Sequence, residues 1–183
     1  MYLLLVDDLD TLDEMRPAIV AAAGDLFEAR PVVFEEFRFV TSTGYSQRAI
    51  DEIELVLGSS HTSVALPERV ERFVEYWGFG QFRDQPISTL SSGWQKYLSL
   101  ALFAELAVSS NAAVLFMPFH YLDRSRTAKA LEVLERQPKV LIVDLDVARL
   151  RADCPSAQAM VLDGQRLRSV PYGDEAAGPN ANH

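Results

Sequence analysis

The sequence predicts an α/β fold, with a layered sheet covered by helices. Short runs that are apolar throughout, such as residues 2–6, 112–117 and 140–143, are typical of buried parallel strands. Amphipathic helical segments alternate with these runs, as in proteins whose parallel strands are joined through helices. The 183 residues are enough for one domain with a proper core. We therefore expect a single domain over 1–170 and a disordered tail over 171–183, where Gly, Pro, Asn, Ala and acids predominate.

The first part of the chain begins with a strand at 2–6 and continues with a helix at 11–23. Apolar residues recur in this helix at helical spacing, and Gly24 follows as a stop signal. Pro17 offers an alternative first turn. Residues 31–40 are typical of one or two strands, and the segment from Ile50 to Leu57 predicts a helix or a loop with one helical turn.

The middle of the chain predicts two helices with no strand between them. Residues 66–77 place Val70, Phe73, Val74 and Trp77 on one face. Residues 91–107 form the clearest helix, with Ser92 and Gln95 in the spacing of a capping box. The stretch from about 60 to 95 should therefore be a helical excursion from the sheet.

The last part of the chain returns to alternating elements. A strand at 112–117 precedes a helix at 124–135, whose inner stripe would be Ala128, Leu131 and Leu134. A strand at 140–143 follows. Met160 to Leu162 and Leu167 then suggest a hairpin around Asp163-Gly164.

Composition excludes several classes of function. The net charge of −9 disfavours nucleic acid and anionic membrane surfaces as partners, because their phosphates would be repelled. Cys154 is the single cysteine, so no internal disulfide or cysteine cluster can form. His61 and His183 lack the spacing of metal ligands, and we expect His120 to be a surface loop histidine. The N-terminal apolar run is too short for a signal peptide, and no stretch suits membrane insertion. We expect a cytoplasmic protein without a metal site.

One motif stands out: Leu90-Ser91-Ser92-Gly93-Trp94-Gln95, followed by Pro118 and by Leu122-Asp123. Its order and spacing resemble the signature, Walker B end and D-loop of the ATP-binding cassette (ABC) family. From about 37 to 168 further segments resemble parts of that family in the same order: Phe37 to Val40 (the strand before the Q-loop), Leu66 to Ile87 (the helical subdomain), Leu115 to Pro118 (Walker B), His120 to Asp123 (the D-loop), Lys139 to Asp146 (the strand into the H-loop) and Val161 to Gly164 (the closing hairpin). The resemblance implies a P-loop NTPase-like, ABC-type layered sheet with a helical subdomain, lacking the N-terminal β-subdomain.

The chain also departs from the family at the residues that act on ATP. The phosphate-loop motif GxxxxGK[ST] is absent, and the matching segment 7–14 carries five carboxylates but no Gly or Lys. Phe116 and Met117 replace the Walker B acids, and Leu145 replaces the H-loop histidine. The Q-loop glutamine falls at Thr41 or Ser42. From these departures we expect a pseudoenzyme with no catalytic residues and no cofactor of its own.

The segments that the chain retains are those that a cassette presents to its partner. Ser91, Ser92 and Gly93 would form an anion or partner site at a helix N-terminus. Leu122 and Asp123 would form the D-loop, although Asp123 is explained more simply as the N-cap of the next helix. Trp94 and Tyr97 add aromatic surface for an interface. The expected role is that of a structural or regulatory subunit, held at the membrane through an intact ABC ATPase or permease.

Three alternatives remain open from the sequence. The chain could be a free-standing homodimeric interaction module that uses the same face. Leu3 to Asp8 also resembles the first strand of response-regulator receiver domains, with Asp7 and Asp8 as Mg²⁺ ligands and Asp51 near the phosphorylation position. An unorthodox nucleotide hydrolase using the acids of residues 7–14 with metal is the third.

Overall fold

The computed structural model describes residues 1–6, 8–34, 47–59, 63–109, 112–137 and 139–171. Within these ranges the chain forms six strands and six α-helices. In chain order they are β1 (Tyr2–Leu5), α1 (Leu9–Phe27), β2 (Val32–Phe34), α2 (Ala49–Gly58), α3 (Leu66–Trp77), α4 (Ser92–Ser109), β3 (Ala113–Phe116), α5 (Arg124–Glu135), β4 (Val140–Asp144), α6 (Val147–Asp153), β5 (Gln158–Asp163) and β6 (Arg166–Ser169). Two short 3₁₀ turns, Gly80–Phe82 and Ile87–Thr89, lie between α3 and α4.

The strands form one sheet in the order β2-β3-β4-β1-β5-β6. The first five strands in this order run parallel, and β6 returns antiparallel to β5 as a hairpin. Every residue of β3 is buried, as is all of β4 except its last residue. Strands this apolar need cover on both faces, so the predicted layered α/β sheet is confirmed.

The chain divides into two compact units. The first contains the whole sheet, α1, α6 and the end of α5 from Leu131. Its core is a cluster of buried apolar side chains from α1 and the strands: Leu4, Val6, Leu12, Ile19, Ala23, Phe27, Ala112, Val114, Phe116, Met117, Leu141, Val143 and Met160. The alternation of apolar strands with an apolar helix face therefore produces one continuous core in this unit.

The second unit is helical. It consists of the described residues between Glu35 and Ser109 together with Phe119 to Ala130, and so holds α2, α3, α4 and the start of α5. Its centre is aromatic: Phe73 and Phe79 lie 6.0 Å apart, and Trp77 and Tyr97 lie 5.6 Å apart between ring centroids. The helical subdomain expected at about 60–95 falls inside this unit.

Helix α1 is longer than the sequence pattern predicts. Asp8 caps its start, because the Thr11 N–H donates to Asp8 Oδ1 at 2.8 Å. Pro17 lies within the helix, so a first turn at Pro17 is wrong. The helix also passes Gly24 and ends at Phe27, where Glu28 takes the left-handed conformation (φ 51°) that usually favours glycine. The burial of Phe27 explains why the helix continues for this additional turn.

Other differences are local. The segment from Ile50 to Leu57 is fully helical as part of α2, and α6 was not predicted because its seven residues are too short for a clear apolar period. Ala128 is exposed, so the inner face of α5 is built by its neighbours Ala130, Leu131 and Leu134 instead.

Several sequence-based predictions lie outside the described residues. They concern Asp7, the strand continuation and Q-loop positions within 35–46, His61, and the tail over 172–183. Among the helices that the structure describes, none combines the length and the apolar character that a bilayer crossing requires.

Candidate functional site

The candidate site is the N-terminus of α4, at the signature-like motif. The Gln95 N–H donates to the Ser91 carbonyl at 2.9 Å, and the Trp94 N–H donates to Ser91 Oγ at a longer 3.4 Å. Ser91 is therefore the N-cap, and Ser92 begins the helix. Both serines are exposed. The first-turn N–H groups of a helix have no intrahelical acceptor, so this end carries partial positive charge facing solvent.

The predicted capping box between Ser92 and Gln95 is wrong. The Gln95 side chain turns back to the preceding loop, where Nε2 donates to the carbonyls of Leu90 at 2.9 Å and Ile87 at 3.1 Å. These bonds satisfy loop carbonyls that would otherwise lie partly buried. Gln95 thus fixes the approach of the chain to the helix rather than the helix start itself.

Gly93 lies where two backbone segments approach closely. A Cβ added at this position would lie 3.2 Å from the Tyr121 carbonyl oxygen and 3.7 Å from Arg126 Nη1. Tyr121 itself adopts a positive φ of 69°, which is uncommon for a residue with a side chain. Tyr121 is 65 % exposed, and its ring lies 4.0 Å from the His120 ring between centroids. The first turn of α4 therefore packs directly on the loop before α5.

The start of α5 lies beside this turn. Asp123 is its N-cap, because the Arg126 N–H donates to Asp123 Oδ1 at 2.9 Å and the Thr127 N–H donates to the Asp123 carbonyl at 3.0 Å. The same carboxylate pairs with Arg126 Nε at 3.4 Å. The Arg126 guanidinium in turn lies over the Trp94 ring, 3.9 Å from its centroid. A carboxylate, a cation and an indole thus form a connected set at the α4 N-terminus.

The residues predicted for an interface and for the D-loop differ in exposure. Tyr97 is only 2 % exposed and belongs to the aromatic core, and burial raises the pKa of its hydroxyl to about 12. Its assignment to an interface is therefore corrected. Trp94 keeps partial exposure and remains available at the surface. In the D-loop-like pair, Leu122 is buried whereas Asp123 is exposed.

The end of β3 is apolar, in agreement with the sequence. Phe116 and Met117 are buried, and the Met117 N–H donates to the Val143 carbonyl at 2.8 Å. Met117 takes a positive φ of 44°, and the Arg16 guanidinium lies 5.0 Å from the Phe116 ring centroid. The Phe116 and Met117 side chains form part of the core of the first unit.

The acidic segment 7–14 overlaps the start of α1, and its described residues have local structural roles. The backbone and side-chain hydrogen bonds from Thr11 lower the pKa of Asp8, and Asp13 pairs with Arg16 at 2.8 Å. No group of three or more potential metal ligands occurs among the described residues.

The receiver-domain alternative is wrong. Asp51 lies on α2 and pairs with Arg48 at 2.6 Å, instead of ending a strand.

Arg126 was not predicted as a site residue. The only sequence signal is its position three residues after Asp123, which brings the two onto one face of a helix start. Its contact with Trp94 depends on how the starts of α4 and α5 meet, and no periodicity in the sequence encodes that.

Comparison with known proteins supports the cassette resemblance. No protein-family profile matches the chain. A protein of Streptomyces avermitilis, which carries the provisional name ABC transporter ATP-binding protein, is 33 % identical over 130 residues. The match covers 69 % of this chain but 20 % of the relative, so the chain spans about a fifth of the length of that protein.

Solved structures show the fold of the chain more clearly than the match to this relative does. A dimeric ATP-binding cassette in a post-hydrolysis state with ADP and Pi aligns over 92 % of this chain and 84 % of its own, with a TM-score of 0.59 and 16 % identity. CbiO1 of Clostridium perfringens, part of the ABC transporter complex CbiONQ, aligns over 91 % of this chain and 74 % of its own, with a TM-score of 0.60 and 14 % identity.

The fold is that of an ABC ATPase cassette.

This result overturns the prediction that the chain is not an enzyme. That prediction used the absence of individual family residues, such as the acids replaced by Phe116 and Met117. The relative that the chain matches is named for ATP binding, and a structure with the same fold holds ADP and Pi after hydrolysis. The label of pseudoenzyme is therefore withdrawn.

Proposed function

We propose that the chain is a cassette subunit of an ABC transporter or related assembly, in which the α4 N-terminus forms one wall of a nucleotide site. The phosphate loop of that site would come from a second cassette, and a permease would hold the assembly at the membrane. The observation that carries this proposal is the exposed start of α4 at Ser91-Ser92-Gly93 on a cassette fold.

The chemistry of this turn suits a polyphosphate. First-turn N–H groups and the helix dipole together favour anions, and the Ser91 and Ser92 hydroxyls can donate to phosphate oxygens. Gly93 allows the turn to pack against the Tyr121 carbonyl, which holds the backbone in place. The site is thus open on the solvent side and supported on the other.

The charge of the chain explains why a second cassette is needed. Residues 7–14, at the place of a phosphate loop, hold five carboxylates and no Gly or Lys. These charges would repel a triphosphate, whereas the α4 N-terminus attracts one. We therefore expect the isolated chain to bind Mg·ATP weakly and the composite site to bind it tightly.

We take the second cassette to be another protein, because a second copy of this chain would bring the same segment 7–14 without Gly or Lys. A dimeric arrangement occurs in the cassette structure with ADP and Pi, and CbiO1 is part of a transporter complex.

The test is association measured by size-exclusion chromatography with light scattering, with and without Mg·ATP. The chain is run alone and mixed with a cassette protein encoded next to it in its genome. We expect a complex that forms with Mg·ATP and that Ser92→Glu weakens by about tenfold or more, since a carboxylate would occupy the phosphate position. A carboxylate in the first turn favours the helix, so this loss would not reflect unfolding.

Ser125→Glu is the matched control, because Ser125 is an exposed serine in the first turn of the neighbouring α5. It should leave the association unchanged. Formation of the complex with Ser92→Glu at the affinity of the natural chain would contradict the proposal. Tight binding of Mg·ATP to the monomer would also contradict it.

A further inference from the structure

The first turn of α4 has a weakness that its neighbours offset. Gly93 in this turn has a lower intrinsic helix preference than alanine. A larger residue there would crowd the Tyr121 carbonyl, since the added Cβ would lie 3.2 Å from its oxygen. The turn that presents the Ser92 and Gly93 amides therefore keeps its flexible glycine, and contacts from neighbouring residues support it.

Arg126 supplies an external support. Its guanidinium lies 3.9 Å from the Trp94 ring centroid and 5.7 Å from that of Tyr97, and its side chain is 24 % exposed. Trp94 also packs on Phe82 at 4.4 Å and Phe79 at 5.4 Å between ring centroids. Trp94 is thus held by a cation on its face as well as by the aromatic core.

The charge of Arg126 is offset by the Asp123 carboxylate, which contacts Nε at 3.4 Å and also accepts from the Arg126 backbone N–H. The guanidinium therefore adds little net charge to the α4 N-terminus. Its contribution is geometric, because it ties the third residue of α4 to the capped start of α5.

We propose that Arg126 is a positioning residue for the nucleotide-binding turn of α4, acting through Trp94 while Asp123 orients it. This inference rests on the proposed function, since it concerns the same turn. By fixing Trp94, Arg126 keeps the Ser92 and Gly93 amides aligned for phosphate before the partner arrives. Preorganised donors bind an anion more tightly than mobile ones because less ordering is lost on binding.

The first measurement uses the isolated chain and needs no nucleotide. Hydrogen exchange at the Gln95 amide, which bonds to the Ser91 carbonyl, reports opening of the turn. Arg126→Ala should accelerate this exchange by about fivefold, as expected for a cation–π contact of about 1 kcal/mol. Arg126→Lys should restore part of the protection, because an ammonium can still lie over the Trp94 ring but lacks the Nε–H that faces Asp123.

The matched control is Arg136→Ala. Arg136 follows the same helix and pairs with Glu132 at 2.5 Å, with its side chain 64 % exposed. The Arg136→Ala substitution removes an arginine and an ion pair but leaves the surroundings of Trp94 unchanged. The rate of hydrogen exchange at the Gln95 amide should therefore not change. A double variant adds a second control: after Trp94→Leu, Arg126→Ala should have no further effect on exchange.

The second measurement is the Mg·ATP-dependent association used for the proposed function. Arg126→Ala should weaken it by about fivefold, in parallel with the faster exchange. Unchanged Gln95 exchange in Arg126→Ala would overturn the inference and leave the proposed function standing. Faster exchange with undiminished association would also overturn it. If the natural chain does not associate, the proposed function fails first, and the role of Arg126 at a nucleotide site fails with it.

Discussion

At the scale of single residues, the protein keeps its cysteine inert. Cys154 is fully buried, and its Sγ–H donates to Glu135 Oε1, which also accepts from Ser156 Oγ at 3.1 Å. Burial is the larger cause and the neighbouring carboxylate the second, and together they raise the pKa of the thiol to about 12 from a usual 9.0. The reactive thiolate is therefore scarce at neutral pH.

This environment predicts slow labelling of the native thiol. At pH 8, we expect dithionitrobenzoate to react with Cys154 at least about 100-fold more slowly in the native chain than in urea, because reaction requires opening of the structure. Glu135→Gln should speed labelling, because it removes the carboxylate that accepts from the thiol and so eases local opening, whereas Glu132→Gln on the same helix should not. Equal rates in native and unfolded protein would contradict the buried position.

The same pKa shift has a consequence for stability. Because the native thiol holds its proton up to about pH 12 and the unfolded thiol releases it near 9.0, raising the pH between these values lowers the free energy of unfolding. The contribution of Cys154 to stability is thus complete below pH 9.0 and declines as the pH rises toward 12.

At the scale of elements, α1 shows how a helix can continue through residues that have a low preference for helix. It contains Pro17 and Gly24, yet both ends are fixed by specific bonds. Asp8 accepts from the Thr11 N–H at the start, and Lys139 Nζ donates to the Phe27 carbonyl at 2.6 Å at the end. A carboxylate at the N-terminus and an ammonium at the C-terminus both match the helix dipole.

The cap at Asp8 predicts a pH-dependent loss of stability. Asp8→Ala should lower the urea midpoint at pH 7, since the Thr11 N–H loses its acceptor. Because the pKa of Asp8 is lowered from 3.8, its charge stabilises the native state above that value and is lost as the pH falls through the native pKa. The difference between variant and natural chain should therefore shrink in acid.

Urea unfolding followed by circular dichroism at pH 7 and at low pH measures this difference. Asp25→Ala near the other end of α1 is the control. It removes a carboxylate from the negative end of the dipole and should not destabilise. A difference that stays constant from neutral to acid pH would contradict a charged cap.

At the scale of the whole molecule, the order of strands in the sheet determines which backbone amides are best protected from hydrogen exchange. β4 and β1 occupy the middle of the sheet, with β4 between β3 and β1. β6 pairs with one described strand, β5, and its arginines and serine are exposed. Buried central strands open only with large-scale unfolding, whereas edges open locally.

Amide exchange followed by mass spectrometry should reflect this order. We expect peptides covering Leu141–Val143 to exchange at least about 100-fold more slowly than those covering Leu167–Ser169. β3 is an internal comparison, because its residues are also fully buried and should behave as β4 does. Equal exchange at β4 and β6 would contradict the sheet order.

The sequence alone determined the elements that follow directly from local pattern. The bounds predicted for α3 and α5 match those observed. The turn of the predicted hairpin contains Gly164, whose positive φ of 59° suits glycine. The motif at Ser91-Ser92-Gly93 was likewise visible, because a helix start has a short-range signature. The cassette fold followed from the order of such motifs along the chain.

Only the tertiary structure decided how those elements meet. It showed that Tyr97 is buried, that Gln95 bonds to the preceding loop, and that Arg126 stacks on Trp94. The expectation of an inactive chain, drawn from single replaced residues, was wrong once the fold was compared. The positions of Tyr97, Gln95 and Arg126 share one physical reason. Periodicity encodes which face of a segment is apolar, whereas side-chain contacts between segments depend on their packing in three dimensions.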